Sequence, residues 1–176
     1  PISPLTGFDQ KHVYTSWDVF GYGGRANFDS PAIVFDDTGT FEAISVADKL
    51  LEQGLKVTMV SRYESLGASL PYPPATVDAA KERLMSQDFD FIGGHYMQAI
   101  TEDEVLIGVP FTERIRALRA NMVVLVTYNP PNRDLAEYIL EENSHLEGKV
   151  HLVGDVSGTN GVQAAIHQAA NLTRSI

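Results

Sequence analysis

Three short runs of apolar residues constrain the fold of this chain more than any other feature. Ala32–Phe35, Lys56–Ser61 and Met122–Thr127 are rich in β-branched residues and lack the alternation of polar and apolar residues that marks a half-exposed strand. Such runs are typical of strands that are buried on both faces of a parallel sheet. We therefore predict a parallel sheet, with helices on both of its faces.

The segment between the first two runs has the spacing of a helix. Val46, Ala47, Leu50 and Leu51 recur at helical intervals, and Gly54 follows where helices commonly end on a left-handed residue. A strand, a helix, a glycine and a second strand within about thirty residues form a βαβ unit, whose crossover is right-handed.

The rest of the chain continues this alternation. The patterns predict further helices at Thr76–Gln87, Leu135–Glu142 and Gly161–Arg174, and a last buried strand at Val150–Val153. Residues 1–30 show no sustained period and are predicted to be an irregular linker segment, with one turn of helix near Ser16–Val19. Trp17 and its neighbouring aromatic residues are interpreted as packing residues.

Three shorter segments interrupt the α/β alternation. Tyr96–Thr101, Glu104–Val109 and Thr112–Leu118 are separated by turn residues and predict an antiparallel meander, although Glu113–Ala120 also fits a helix. The predicted fold class is therefore α/β, a Rossmann-like parallel sheet with helices on both faces and an inserted antiparallel meander.

Composition excludes several classes of function. The chain has 176 residues, of which 44% are hydrophobic, and this is enough to bury a core without a metal or a disulfide. Its 23 acidic and 13 basic residues give a net charge of −10, which disfavours binding to nucleic acid. No apolar run approaches the roughly 20 residues of a membrane span. The absence of cysteine fits a cytoplasmic protein and excludes cysteine-held clusters and cysteine nucleophiles within these residues.

The turn after the first strand is where a Rossmann fold holds pyrophosphate. Counted back from the helix, the three fingerprint positions fall at Thr38 and Thr40 within this turn, Asp36–Phe41, and at Ala43 just after it. Only Ala43 is a small residue that the fingerprint permits. The two aspartates that open the turn oppose a second negative charge. The turn is either a phosphate site that has been lost or an active NAD(P) site. The first interpretation predicts that NADH and NADPH bind weakly, if at all.

Arg62 follows the second strand, at the position where NADP-specific sites often carry a basic residue. It is a candidate contact for the 2′-phosphate of NADP. The alternative is an ordinary surface arginine at the end of a strand.

Gly154 and Asp155 form the second candidate site. They follow the predicted strand Val150–Val153 and precede the helix that begins near Gly161. A glycine lets a ligand approach the backbone, a helix N-terminus offers N–H groups, and an ionised carboxylate accepts hydrogen bonds from hydroxyl groups. The alternative is that Asp155 only caps a turn. The dispersed histidines have no metal-ligand spacing and no catalytic motif is present, so no catalytic or metal-binding residue is predicted.

Four segments resemble the C-terminal part of the trimethylamine dehydrogenase / 2,4-dienoyl-CoA reductase group of NADH:flavin oxidoreductases. HVYTSWDVF (residues 12–20) is similar to the link that leaves the first dinucleotide domain, and residues 33–61 to the pseudo-nicotinamide domain with its Asp-Asp pair. LVTYNPPN (residues 125–132) is similar to a TG-x-x-PN segment, with Tyr128 replacing the glycine. HLVGDVSGTNGVQAAIHQA (residues 151–169) resembles the closing flavin-contact motif.

The resemblance implies a domain organisation. Residues 1–30 would be the linker, residues 31–145 a pseudo-NAD(P)-binding Rossmann-like domain, and residues 146–176 the returning strand and helix of a truncated FAD/ADP-binding domain. Asp155 would contact the ribityl chain of FAD. The cofactors implied for the longer protein are FMN, a [4Fe–4S] cluster and FAD or ADP.

The expected function is that of a C-terminal piece of an NADH:flavin oxidoreductase, which neither holds flavin nor oxidises NADH alone. Its expected partners are the N-terminal barrel and the other half of the FAD/ADP domain, and a homo-oligomer remains open. The alternative function is a free-standing Rossmann-like ligand-binding or interaction module without redox activity.

Overall fold

The three apolar runs form neighbouring strands of one parallel sheet. The computed structural model describes residues 5–24, 26–70, 74–158 and 161–175, and the chain divides into two compact units, Pro1–Tyr128 and Asn129–Ile176. The parallel sheet belongs to the first unit, and its strands are β1 (Val13–Thr15), β2 (Ala32–Asp36), β3 (Val57–Ser61), β4 (Phe89–Ile92) and β8 (Met122–Val126).

β2 lies at the centre of this sheet, whose order is β1-β8-β2-β3-β4. It pairs in parallel with β3 and β8, so that Ala32 lies opposite both Val57 and Met122. The outer pairs are also parallel. The carboxyl ends of the strands therefore meet at one edge of the sheet, which is where open α/β sheets bind ligands.

Helices cover one face of the sheet. They are α1 (Ser16–Val19), α2 (Phe41–Glu52) and α3 (Pro74–Met85). Alternate strand residues such as Val34 and Met59 pack with Leu50 of α2 and Leu84 of α3 in one apolar cluster. α2 ends as predicted, because Gly54 has a φ of +77° and its N–H bonds to the carbonyl of Leu51.

The other face is covered by a second sheet. Its antiparallel strands are β5 (Tyr96–Ile100), β6 (Glu104–Gly108) and β7 (Ile115–Arg119), in that order. Val105 and Ile107 of β6 pack with Phe35, Val60 and Val123 of the parallel sheet. Because β-strand side chains alternate between faces, β2 and β8 contribute to both clusters.

The α/β fold class and the meander are confirmed, with one correction. Helices were predicted on both faces, but in the described part of the first unit they cover one face and the meander covers the other. The apolar face of a sheet can be covered by a second sheet as well as by helices. The helix that also fitted Glu113–Ala120 is absent, since Ile115–Arg119 is a strand.

Two strands were not predicted. β1 lies within residues 1–30, which were predicted to be irregular, and β4 follows α3. Both are edge strands of three and four residues, too short to show a period. The predicted helical turn Ser16–Val19 is present, and Thr15 and Asp18 form its capping box.

The second unit contains two amphipathic helices, α4 (Asp134–Glu142) and α5 (Val162–Ser175). The predicted strand Val150–Val153 is wrong: these residues form no strand, and a short 3₁₀ turn follows them at Gly154–Ser157. A strand needs a hydrogen-bonded partner, and no described residue pairs with this segment.

The described part of the second unit has no buried apolar core, because every buried hydrophobic residue lies at or before Val126. Large apolar side chains are instead exposed on both helices: Leu135, Tyr138, Val162 and Ile166. The helices thus present apolar faces that the described residues of their own unit do not bury.

Because, among the described residues, only the first unit has a buried core, a leucine-to-alanine substitution should affect the free energy of unfolding differently in the two units. Leu50→Ala removes a fully buried side chain and should lower the free energy of unfolding by about 2–5 kcal/mol. The matched variant Leu135→Ala changes a side chain that is 72% exposed and should change it by less than about 0.5 kcal/mol. Urea unfolding monitored by circular dichroism measures both, and equal effects would contradict this assignment of the core.

Candidate functional site

A buried carboxylate organises the turn between β2 and α2. Asp36 is 1% exposed, and its Oδ1 accepts hydrogen bonds from the backbone N–H groups of Thr38 (3.1 Å) and Gly39 (2.8 Å). The Thr38 hydroxyl donates to the same oxygen, at 3.2 Å. Ser61 Oγ donates to Oδ2 from the end of β3, at 3.2 Å. One side chain therefore ties the turn to the ends of two strands.

These hydrogen bonds change what the turn can bind. In a phosphate-binding turn, backbone N–H groups point at the ligand. Here the N–H groups of Thr38 and Gly39 point at the Asp36 carboxylate. The protein's own anion occupies donors that a phosphate would need, which favours the interpretation of the turn as a phosphate site that has been lost.

The space beside the turn's glycine is also filled from within. Gly39 has a φ of +66°, and a Cβ at this position would lie 2.7 Å from Ser69 Oγ and 2.9 Å from Cε2 of Tyr63. The N–H of Ser69 also bonds to the carbonyl of Gly39, at 3.0 Å. This glycine makes room for the chain's own side chains rather than for a nucleotide.

Arg62 lies at the same edge of the sheet. Its guanidinium forms an ion pair with Asp37, at 3.0 Å, and lies 5.2 Å from the centre of the Tyr63 ring. The hydrogen bond with Asp37 raises the pKa of Arg62. Arg62, the candidate contact for the 2′-phosphate of NADP, is thus held by a carboxylate and an aromatic ring. Its side chain is about half exposed.

Two tyrosines extend this cluster. The hydroxyl of Tyr63 lies 3.4 Å from that of Tyr128, which follows β8. The hydrogen bond from Ser69 lowers the pKa of Tyr63, while the bond to Tyr63 raises the pKa of Tyr128. Neither tyrosine was predicted as a site residue, although each follows a parallel strand and so lies at the edge where such sheets bind ligands.

Gly154 and Asp155 lie in the second unit, at the start of its 3₁₀ turn. Gly154 is buried, has a φ of +80°, and donates its N–H to Oε1 of Gln168 at 2.9 Å. A Cβ on Gly154 would lie 3.5 Å from that of Ala165, so the positive φ rather than crowding favours glycine here. Asp155 is exposed, and no described residue donates to its carboxylate. Residues 159–160, before α5, lie outside the described residues.

Trp17 was interpreted as a packing residue, but it is 60% exposed. With Phe20 and Tyr22 it lines an open groove beside the first turn of α2. Nothing in the local sequence pattern separates an exposed aromatic residue from a buried one in a segment without a period.

The described residues contain neither a membrane-spanning helix nor a cluster of metal-ligating side chains. No helix there is long and apolar enough to cross a membrane. No group of three or more histidine, cysteine, aspartate or glutamate residues is placed to hold a metal ion in this part of the chain.

Comparison with known proteins gives matches among solved structures. A 6-hydroxypseudooxynicotine amine oxidase from Pseudomonas geniculata N1 matches 94% of this chain with 24% identity and a TM-score of 0.77. A histamine dehydrogenase from Rhizobium sp. 4-9 matches 98% with 18% identity and a TM-score of 0.78. A 2-naphthoyl-CoA reductase matches 94% with 19% identity and a TM-score of 0.75. No family model and no curated protein sequence matches.

The likeness is one of fold. The chain spans about a quarter of the length of these three proteins, 24%, 26% and 24% respectively. The α/β Rossmann-like fold is therefore established by both the topology and the comparisons.

The two adjacent aspartates of the turn should differ sharply in their effect on stability. Asp36→Ala leaves the buried donors of Thr38 and Gly39 without an acceptor and should lower the free energy of unfolding by about 2–4 kcal/mol. Asp37→Ala removes an exposed ion pair and should change it by no more than about 1 kcal/mol. Chemical unfolding of both variants tests this, and a small loss for Asp36→Ala would refute the proposed role of the carboxylate.

The filled turn also predicts weak binding of nicotinamide nucleotides. Calorimetry with NADH and NADPH at low salt should give a dissociation constant weaker than about 1 mM, because donors and space are already occupied. Micromolar binding of NADPH that is lost in Arg62→Ala would instead identify an active NADP site.

Proposed function

We propose that this chain is the C-terminal nucleotide-binding-type region of an NADH:flavin oxidoreductase. Its role there is to support and complete the cofactor domain, and it does not catalyse a reaction alone. The alternative is a free-standing Rossmann-like module that binds a ligand or a partner without redox activity.

The observation that carries this proposal is that the described residues of the second unit form no buried apolar core. Its helices α4 and α5 are amphipathic, yet none of their described residues is buried. Helices of this kind are stabilised by packing an apolar face against another surface. A unit that exposes such faces is suited to completing a larger domain.

The comparisons support the same proposal in two ways. The solved proteins are named as an amine oxidase, a dehydrogenase and a reductase, all of which are redox enzymes. They match nearly all of this chain but have about four times its length. These points agree with the family resemblance of the sequence, in which the barrel with FMN and the [4Fe–4S] cluster precedes such a region.

The two candidate sites fit a nucleotide cofactor differently. The turn at Asp36 does not fit a pyrophosphate, because its own carboxylate takes the N–H groups of Thr38 and Gly39. Asp155 fits the ribityl or ribose hydroxyls of FAD or ADP, because an exposed carboxylate without a donor among the described residues can accept hydrogen bonds. When bound, FAD would supply redox chemistry. This chain's contribution is one hydrogen-bond acceptor, the carboxylate of Asp155.

A substitution at Asp155 in the longer protein tests this role. Asp155→Ala should weaken FAD or ADP binding by about ten- to a hundredfold, the effect of losing one charge-assisted hydrogen bond of about 1.5–3 kcal/mol. Cofactor content after dialysis measures the loss, and FMN content should stay unchanged. The control is Glu147→Ala, another exposed acid of the second unit.

Unchanged FAD or ADP affinity in Asp155→Ala would show that the residue only caps a turn. The alternative function is tested separately by the coding sequence upstream of Pro1. A barrel with clustered cysteines there supports the oxidoreductase, whereas a start codon close to Pro1 supports the free-standing module.

A further inference from the structure

An open aromatic groove of about 420 Å³ lies between α1 and the first turn of α2. Five of the described residues line it: Ser16, Trp17, Phe20, Tyr22 and Glu42. The three aromatic side chains are 60%, 43% and 83% exposed, so their rings are accessible to a partner.

The backbone holds these aromatic residues in place. Thr15 and Asp18 cap α1, and the buried side chain of Val19 anchors it to the core. After the helix, the N–H of Tyr22 bonds to the carbonyl of Trp17 at 2.8 Å. These contacts fix the backbone that carries the aromatic side chains, which lowers the entropy lost on binding.

Glu42 places a negative charge in the groove. The Glu42 carboxylate accepts a hydrogen bond from the buried hydroxyl of Ser16, at 2.5 Å. This neutral donor leaves the charge in place, and no lysine or arginine among the described residues lies within ion-pair distance. The N-terminus of α2 offsets the charge only in part. The net charge of −10 for the whole chain has the same sign.

Aromatic faces beside a carboxylate select a cation. Because the groove is open, a cationic side chain of another protein fits it better than a free small cation does. A site for a small molecule buries most of its ligand, whereas these rings would leave a small ligand largely in water. A side chain delivered by a protein surface would bring that surface down over the rings and exclude the water.

We propose that this groove is the docking site for an arginine side chain carried by an apolar segment of a partner protein. The planar guanidinium can stack on an aromatic ring and donate two hydrogen bonds to one carboxylate, which a lysine ammonium cannot do in the same geometry. Trp17, Phe20 and Tyr22 cover the apolar flanks of the segment, and Glu42 receives the charge.

Trp17 is the only tryptophan of the chain, so its fluorescence reports on the groove directly. The probe is acetyl-Leu-Arg-Leu-amide, and the control is the same peptide with citrulline, which keeps the shape of arginine without its charge. We expect saturable quenching by the arginine peptide and at least about tenfold weaker binding of the citrulline peptide. The arginine peptide should lose affinity at high salt.

Glu42→Gln keeps an oxygen for Ser16 but removes the charge, and should make the two peptides bind equally. The matched control Glu52→Gln changes an exposed acid at the other end of α2 and should leave the tenfold preference intact. Because Glu42 also supports the start of α2, Tyr22→Ser provides a second variant whose side chain is too exposed to affect folding. Calorimetry should show weaker binding of the arginine peptide to it.

Three results would overturn the proposal. The first is equal binding of the arginine and citrulline peptides to the unchanged protein, which indicates an apolar groove without charge selection. The second is tighter binding of tetramethylammonium than of the arginine peptide, which indicates a site for a free cation. The third is no fluorescence change at millimolar peptide.

Discussion

The hydrogen bonds of the Asp36 carboxylate organise the carboxyl ends of β2 and β3 and the turn between β2 and α2. They fix the turn that starts α2, and they join the end of β2 to Ser61 at the end of β3. With Thr38 and Gly39 already bonded, the adjacent side chains of Tyr63 and Ser69 close over the glycine. A Rossmann-like frame is thereby kept while its usual phosphate contacts serve the protein itself.

The parts of the fold that could be predicted are those with local signals. Each of these signals lies within a short stretch of sequence. Examples are the apolar runs of β2, β3 and β8 and the helical spacing that ends at Gly54. Which layer covers the second face could not be predicted, because it depends on β6 packing on strands far away in the chain. The edge strands β1 and β4 were missed since each buries too few residues to show a pattern.

The site shows the same limit. The sequence located the turn at Asp36 and predicted that it would bind a nucleotide poorly, but it did not indicate that the carboxylate turns inward. It could not place Tyr63 next to Tyr128, which are 65 residues apart, or Ser16 next to Glu42, which are 26 apart. The prediction of a strand at Val150–Val153 failed because apolar composition supplies burial potential but no hydrogen-bonded neighbour.

The strand order also sets the sequence of events during synthesis. β1 lies at the edge of the sheet and pairs with β8, which is made more than a hundred residues later and lies between β1 and β2. Such distant pairings form slowly, because a long loop must close first. β2, β3 and β4 can associate on the ribosome, whereas β1 must wait for β8 to emerge. The helical turn that follows β1, and the aromatic groove it lines, are therefore among the last parts of the first unit to mature.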